Sequence, residues 1–258
     1  MMGKAQISTV SYKRSLIIGT LLGNACSRQW KNESGQLKAQ LTVRHAFEHA
    51  DLAEWKADEF GRLFDVNIAV RRDRASGRVH FSITRGKRIR VTDKWFHRNG
   101  KKTVSDKIRF MDHPVGMAML LCDRGSVRKR RKRHKDGTEY YAAPALFLEM
   151  GSFSENDAVR LSDHIRKLCG AEAVVKTGAG DIPIRKKADR SVIFSGDRPG
   201  LSFNAANSEI LWEYAGLWMP RVLSVSARFS FIIEKYGKNQ SDNNSRHLSP
   251  LSGDKVKR

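Results

Sequence analysis

The chain has 258 residues, of which 48 are Lys or Arg and 27 are Asp or Glu, a formal net charge of +21. That surplus ranks a polyanionic partner first, phosphate backbones above all, because each neutralised phosphate releases condensed counterions and so drives binding. Three scattered cysteines, Cys26, Cys122 and Cys169, are too few and too far apart for a disulfide framework or a zinc site, and the longest apolar runs, 16–22 and 115–122, fall short of the ~20 residues of a membrane span.

Residues 15–25, SLIIGTLLGNA, read as an apolar helix with Gly19 and Gly23 on one face, where small residues let a second helix approach closely. Residues 38–44, KAQLTVR, alternate as a strand, and 50–64 place Leu52, Trp55, Phe60, Leu63 and Phe64 at helical spacing. Strands over 66–72 and 78–84 flank Ala75, Ser76 and Gly77, which suit a hairpin turn. Helical residues around Trp95 and Phe96 lead into a basic turn, Asn99, Gly100, Lys101 and Lys102.

The pattern then starts again. HPVGMAMLLCDRGS, 113–126, predicts a second apolar helix with Pro114 at its start, and it ends 100 residues after the first. A strand over 145–149 follows, and then Ser154 with Asp157 three residues on, the spacing of a capping box with Asp in place of the usual Glu; this predicts a helix over 155–168. Short strands over 174–176, 182–185 and 192–194 and a helix over 210–217 complete the second round. Residues 237–258, polar and rich in Ser and Asn, read as a disordered basic tail. The opening residues, 1–14, lack an apolar signal-peptide core.

Four of these segments carry a family resemblance. GTLLGNACS, 19–27, resembles the first motif of the LAGLIDADG homing endonucleases in its L-L-G-D-A form, and HPVGMAMLLCDRGS is similar to that subgroup's T-P-x-x-L-A-x-W-F-M-D-D-G-G. Between them FHRNGKKTV, 96–104, resembles the N-x-K-K-x-I/V turn, and SFSENDAVRLSDHIRKLCGAEAVVK, 152–176, resembles the S-F-T-x-E-E-V segment and the helix after it. Four segments in the right order are a specific signal where any one would be weak. The resemblance covers about 12–231.

It implies an α/β (α+β) fold of two pseudo-symmetric αββαββα units, 12–104 and 111–236, acting as a monomer. In the family, two antiparallel sheets form a saddle in the DNA major groove, the motif helices lie side by side, and each delivers one acid from its C-terminal end. Those acids hold divalent metals, which activate water and stabilise the attacking and leaving oxygens of the phosphodiester. Carried over, the first acid falls on Asn24 and the second on Arg124, and neither is acidic. Asp123 matches the other acid of the second motif, and one helical step turns a side chain by ~100° and shifts it by ~1.5 Å, so it does not simply replace its neighbour.

The resemblance therefore implies a nucleic-acid-binding protein with impaired or absent cleavage. No cofactor is assigned; Mg²⁺ would be required by an active form, with Asn24 and Asp123 as its candidate ligands. Lys102 resembles the basic residue that the family places near its centre, and Arg228 is its candidate counterpart in the second half. Arg124 has two readings, a guanidinium that replaces the metal against phosphate or the product of drift.

The candidate nucleic-acid contacts follow the charge. VRKRRKRHK, 127–135, lies where the family has a DNA-reading hairpin and contributes Arg128, Arg130, Arg131, Lys132 and Arg133. Around the first-half hairpin stand Arg71, Arg72, Arg78, Arg85 and Lys87, and on a strand only alternate members share a face. Arg28, Trp30, Lys38 and Arg44 near the first strands and Arg185 and Lys187 in the second half complete the set. The eight histidines show no ligand spacing, and Trp55, Trp95, Trp212 and Trp218 read as core. Double-stranded DNA is the expected partner, with no membrane, in a cytoplasmic or organelle-matrix compartment rather than outside the cell. The rival readings are an active site-specific endonuclease using Asp123, an intron-RNA splicing cofactor (maturase), and a basic component of a ribonucleoprotein.

Overall fold

Eight consecutive residues of the first helix, α1 (Thr9–Leu22), are buried, from Ser15 to Leu22. A helix that is apolar all round has no face for solvent and must be enclosed. Its enclosure is visible in the computed structural model of the protein, which describes residues 9–84, 87–98, 100–129, 131–151, 153–176 and 200–236. The partner is α4 (Pro114–Arg124), whose residues Val115 to Cys122 are equally buried. A Cβ on Gly19 would stand 2.1 Å from the carbonyl oxygen of Gly116, and one on Gly116 would stand 2.9 Å from that of Ser15. The two backbones therefore touch through glycine, and the helices cross at the centre of a single hydrophobic core.

After α1 come β1 (Ala25–Lys31), β2 (Leu37–Ala46), α2 (Ala50–Phe64), β3 (Arg71–Asp73), β4 (Arg78–Ile83), α3 (Lys87–Phe96) and the short hairpin β5 (His97–Arg98) with β6 (Lys101–Lys102). After α4 come β7 (Gly125–Arg128), the hairpin β8 (Arg131–Arg133) with β9 (Glu139–Tyr141), β10 (Ala145–Glu149), α5 (Glu155–Cys169), β11 (Val174–Lys176), β12 (Gly200–Ser202), α6 (Ala205–Ala215) and α7 (Leu223–Tyr236). The first sheet has the order β1-β2-β4-β3 and the second β7-β10-β12-β11, all antiparallel. Each sheet opens with the strand that leaves a central helix, so the fold is one unit repeated.

The units are fastened where they meet. Asp157 closes the capping box at the start of α5, and its carboxylate also accepts from the Val104 amide at 2.6 Å and the Thr103 hydroxyl at 2.9 Å, tying α5 to the segment that joins the two units. His113 caps α4, its Nδ1 accepting from the Val115 amide, while its own amide donates to Ser15 Oγ on α1.

Several element boundaries depart from expectation. Helix α1 stops at Leu22, and Ala25 already belongs to a strand. The 66–72 strand shrinks to Arg71–Asp73. The helix expected over 210–217 begins at Ala205 because Asn204 caps it, and it tightens into a 3₁₀ turn at Gly216–Trp218. The strands expected over 182–185 and 192–194 and the tail 237–258 lie outside the described residues. Trp212 is buried, and Trp55, Trp95 and Trp218 pack against the core. Among the described residues no helix is long and apolar enough to cross a membrane.

Candidate functional site

Strand register assigns the basic residues of the first unit to faces. Residues directly opposite in an antiparallel pair point the same way. The core side of the first sheet holds Leu41, Val43, Val79 and Phe81. The other side holds Arg28 opposite Gln40, Trp30 opposite Lys38, and a row in which Arg44 faces His80 and His80 faces Arg71. Arg78 lies on this side as well, opposite Ala46 and Asp73. Arg72 turns to the helix side, where its Nη2 meets Glu54 of α2 at 2.9 Å. It was expected among the groove contacts, and strand parity places it on the opposite face. Lys87 is exposed in the first turn of α3, at the rim of a hollow shared with Lys38 and Arg90.

The second sheet presents a different surface. Its outer side carries Ser126, Arg128, Ala145, Phe147, Val174 and Ser202, and the Arg128 guanidinium lies 3.8 Å over the Phe147 ring. The hairpin beside it is more basic, with Arg131 and Arg133 exposed and paired to Glu139 at 3.4 and 3.3 Å, and Lys132 on the alternate face. Arg85, Arg130, Arg185 and Lys187 fall outside the described residues.

Between the units lies a cleft of about 610 Å³ at the C-terminal ends of α1 and α4. It is lined by Asn24, Arg44, His49, Arg78, Lys102, Asp123, Arg124 and Arg228, among others. A helix C-terminus exposes unpaired carbonyls and the negative end of the dipole, so it attracts cations. Here the cations belong to the protein. Lys102 Nζ donates to the Gly23 carbonyl at 2.7 Å. Arg124 reaches across from α4, its Nε donating to the Leu22 carbonyl at 2.8 Å and its Nη2 to that of Gly23 at 3.2 Å. Arg228 of α7 serves the other helix, donating Nη1 to the Cys122 carbonyl and Nη2 to His49 Nε2 at 2.8 Å. Burial, and then the charge of Arg124, push the Lys102 ammonium down to about 8.

Asp123 is occupied elsewhere. Its side chain is 0% exposed, and so is that of Lys56, with which it forms an ion pair. Its second oxygen accepts from the Asn24 amide at 2.9 Å and lies 2.0 Å from where a Cβ of Gly23 would be. Burial raises the carboxyl, but the Lys56 ammonium and the hydrogen bonds from Lys56 and the Asn24 amide outweigh it and hold Asp123 below the usual carboxylate range. Burial, and then Lys56, push His45 down to about 4, so it is neutral beside this pair. Asn24 itself is exposed, with its backbone rather than its side chain held. Lys56, His45 and His49 were not among the expected site residues. Lys56 carried a signal, a charge four residues from both Leu52 and Phe60 on the apolar stripe of α2.

A divalent metal does not fit this set of donors. Hard cations need converging anionic oxygens, and the acids lining the cleft are Asp123, committed to Lys56, and Glu48, which is largely solvent-exposed and beside His49. Among the described residues no three His, Cys, Asp or Glu side chains group to hold a metal ion. The carbonyls that end both helices already accept from Lys102, Arg124 and Arg228, and a unit positive charge ~4 Å from a divalent cation repels it by ~8 kcal/mol at an effective dielectric near 20.

Comparison with solved structures gives the same architecture at low sequence identity. The homing endonuclease I-WcaI bound to its DNA recognition sequence matches with a TM-score of 0.56 and 12% identity, covering 87% of each chain. The LAGLIDADG meganuclease I-AabMI bound to uncleaved DNA matches at 0.51 and 9% identity, covering 89% of this chain and 92% of that one. I-SmaMI bound to an uncleaved DNA target in the presence of calcium ions matches at 0.50 and 11% identity, covering 92% and 94%. No curated protein matches the chain. The LAGLIDADG DNA endonuclease family matches residues 14–188, more than half of the sequence and including the buried part of α1 and all of α4, and the chain belongs to that family.

Proposed function

We propose that this protein binds a long double-stranded DNA site as a monomer and holds it without metal-dependent cleavage. The observation that carries this reading is that Arg124, which the motif resemblance aligns with the acid of the second motif, spends its guanidinium on the Leu22 and Gly23 carbonyls of the opposite helix. With Lys102 and Arg228 it makes the centre of the interface cationic, suited to phosphates that converge there and unsuited to a metal. The outer face of the first sheet supplies Arg28, Lys38, Arg44, Arg71 and Arg78 for phosphate or base-edge contacts, and the β8–β9 hairpin adds more charge from the second unit. The DNA-bound state of the three solved structures above supports the choice of duplex.

The test is binding to random and candidate-site duplexes and to structured RNA, with Mg²⁺ or with EDTA, over a salt series. Neutralising Z phosphates gives a log–log salt slope of about −0.9Z, with Z of roughly six or more for a long site. The expected result is a steep slope that EDTA leaves unchanged, with no strand scission. Loss of binding in EDTA, or Mg²⁺-dependent cutting that stops in Asp123→Ala, overturns the reading in favour of a working endonuclease. A strong preference for folded RNA moves it to a splicing cofactor.

A further inference from the structure

The β8–β9 hairpin forms a two-stranded sheet of its own beside the second four-stranded sheet, and charge alone does not account for its composition. In its register Lys132 faces Tyr140, and the His134 ring stacks on the Tyr140 ring with centroids 4.2 Å apart and planes 27° from parallel. Tyr140 remains 39% exposed although it is a large aromatic side chain. The hairpin's acid, Glu139, lies on the alternate face, paired with Arg131 and Arg133. The Lys132 side opens onto a hollow lined by Arg128, Val174 and Lys176, with Val174 59% exposed.

A paired duplex has little use for such a ring, because its base faces are hidden within the stack and only base edges, sugars and phosphates meet the protein. An unpaired nucleotide offers a π-face. Aromatic side chains beside cations bind it by stacking the base while the cations follow the backbone, with little dependence on sequence. His134 holds Tyr140 from one side, which fixes the ring before a base arrives.

We propose that Tyr140, backed by His134 and flanked by Lys132, is a stacking platform for an unpaired base of a single-stranded nucleic acid. This site goes beyond the duplex-binding reading and does not depend on it, since Lys132 and Tyr140 lie on the hairpin face opposite Arg131 and Arg133 and outside the central cleft.

The experiment uses the full chain and a 12-nucleotide oligonucleotide carrying 2-aminopurine, in deoxyribo and ribo forms, with a fully paired duplex of the same length as a separate arm. Stacking quenches 2-aminopurine, so wild-type protein is expected to quench at least one single-stranded form. Tyr140→Ala should abolish the quench and weaken single-strand binding by about tenfold or more, the usual effect of losing one stacked base. Tyr140→Phe should retain the quench, and duplex affinity should stay within about twofold in both variants. An unchanged melting temperature shows that the exposed substitution has left the fold intact. Absence of quenching with both oligonucleotides overturns the proposal, as does equal loss of single-strand and duplex binding in Tyr140→Ala. Duplex binding measured in its own arm keeps failure of the platform separate from failure of the DNA-binding reading.

Discussion

Asp123 and Lys56 form an ion pair in which neither side chain touches solvent, and the pair joins a central helix of the second unit to α2 of the first. The one acid that the second motif retains here serves architecture. Removing one member of a buried pair strands the other charge, which costs about 3–5 kcal/mol. Lys56→Met and Asp123→Asn should each lower the unfolding free energy by about that amount, and the double variant should lose clearly less than the sum. Urea titrations of the four proteins measure this. Additive losses would mean that the two side chains do not interact.

The glycine crossing makes a sharper demand on sequence. Gly19→Ala would drive a methyl group to 2.1 Å from the Gly116 carbonyl, a backbone atom that no rotamer change can move aside. The helices would have to separate, and overpacking of this kind typically costs about 1–3 kcal/mol. A melting temperature equal to that of the parent protein would show that the crossing is looser than the structure has it.

The fold was open to a reader of the sequence wherever an element is long and strongly patterned. Helix α2 covers the residues that its apolar spacing marks, and α5 starts at the capping box formed by Ser154 and Asp157. Short strands were harder: β3 and β12 have three residues each, too few for a period to show, and they exist because neighbouring strands pair with them. The centre was legible in part. Asn24 and Arg124 stand out against the motif pattern, but that Arg124 reaches α1 depends on a helix crossing that no local pattern encodes. The split between Arg71 and Arg72 likewise follows only from the register with β4.

Acid should destabilise the protein before its carboxylates titrate. Burial pushes both His45 and His113 down to about 4 from an ordinary value near 6.5. Between those values the unfolded chain takes up protons that the folded chain refuses, so the stability contributed by each group is complete above pH 6.5 and is lost as pH falls towards 4. Each histidine contributes a slope of at most ~1.4 kcal/mol per pH unit. His113→Asn should flatten the profile and keep the helix cap, because Asn also accepts from the first-turn amide. Unfolding free energies at pH 7, 6, 5 and 4 give the comparison, and a parent profile flat over this range would contradict the burial of these rings.

The two faces of β3 and its neighbours separate binding from packing in a single experiment. Arg44→Ala removes a charge from the outer face and should reduce the log–log salt slope of duplex binding by about one. Arg72→Ala removes the same charge from the chain but only breaks an exposed pair with Glu54 on the helix side, so the slope should not change. Equal reductions in the two variants would show that net charge, rather than this face, attracts the DNA.

Restoring two acids tests the reading of the centre directly. Asn24→Asp adds one negative charge and Arg124→Asp exchanges a positive for a negative, so together they move the cleft three charges towards what a divalent cation requires. The second change also removes the guanidinium from the Leu22 and Gly23 carbonyls, leaving Lys102 on the latter. Hydrogen bonds from a charged group contribute about 1.5–3 kcal/mol, so Arg124→Asp should melt earlier than the parent protein in the absence of metal. Added Mn²⁺ should recover part of that loss in the double variant and not in the parent, since a ligand that binds only the folded state stabilises it. Either single variant should respond weakly, because each supplies one acid where the chemistry draws on both helices. Nicking of a bound duplex by the double variant in Mg²⁺ or Mn²⁺ would complete the series. If the parent itself gains stability from Mn²⁺, and Asp123→Asn abolishes the gain, the metal site survives around Asp123 and the assignment of Arg124 to the acid position is wrong.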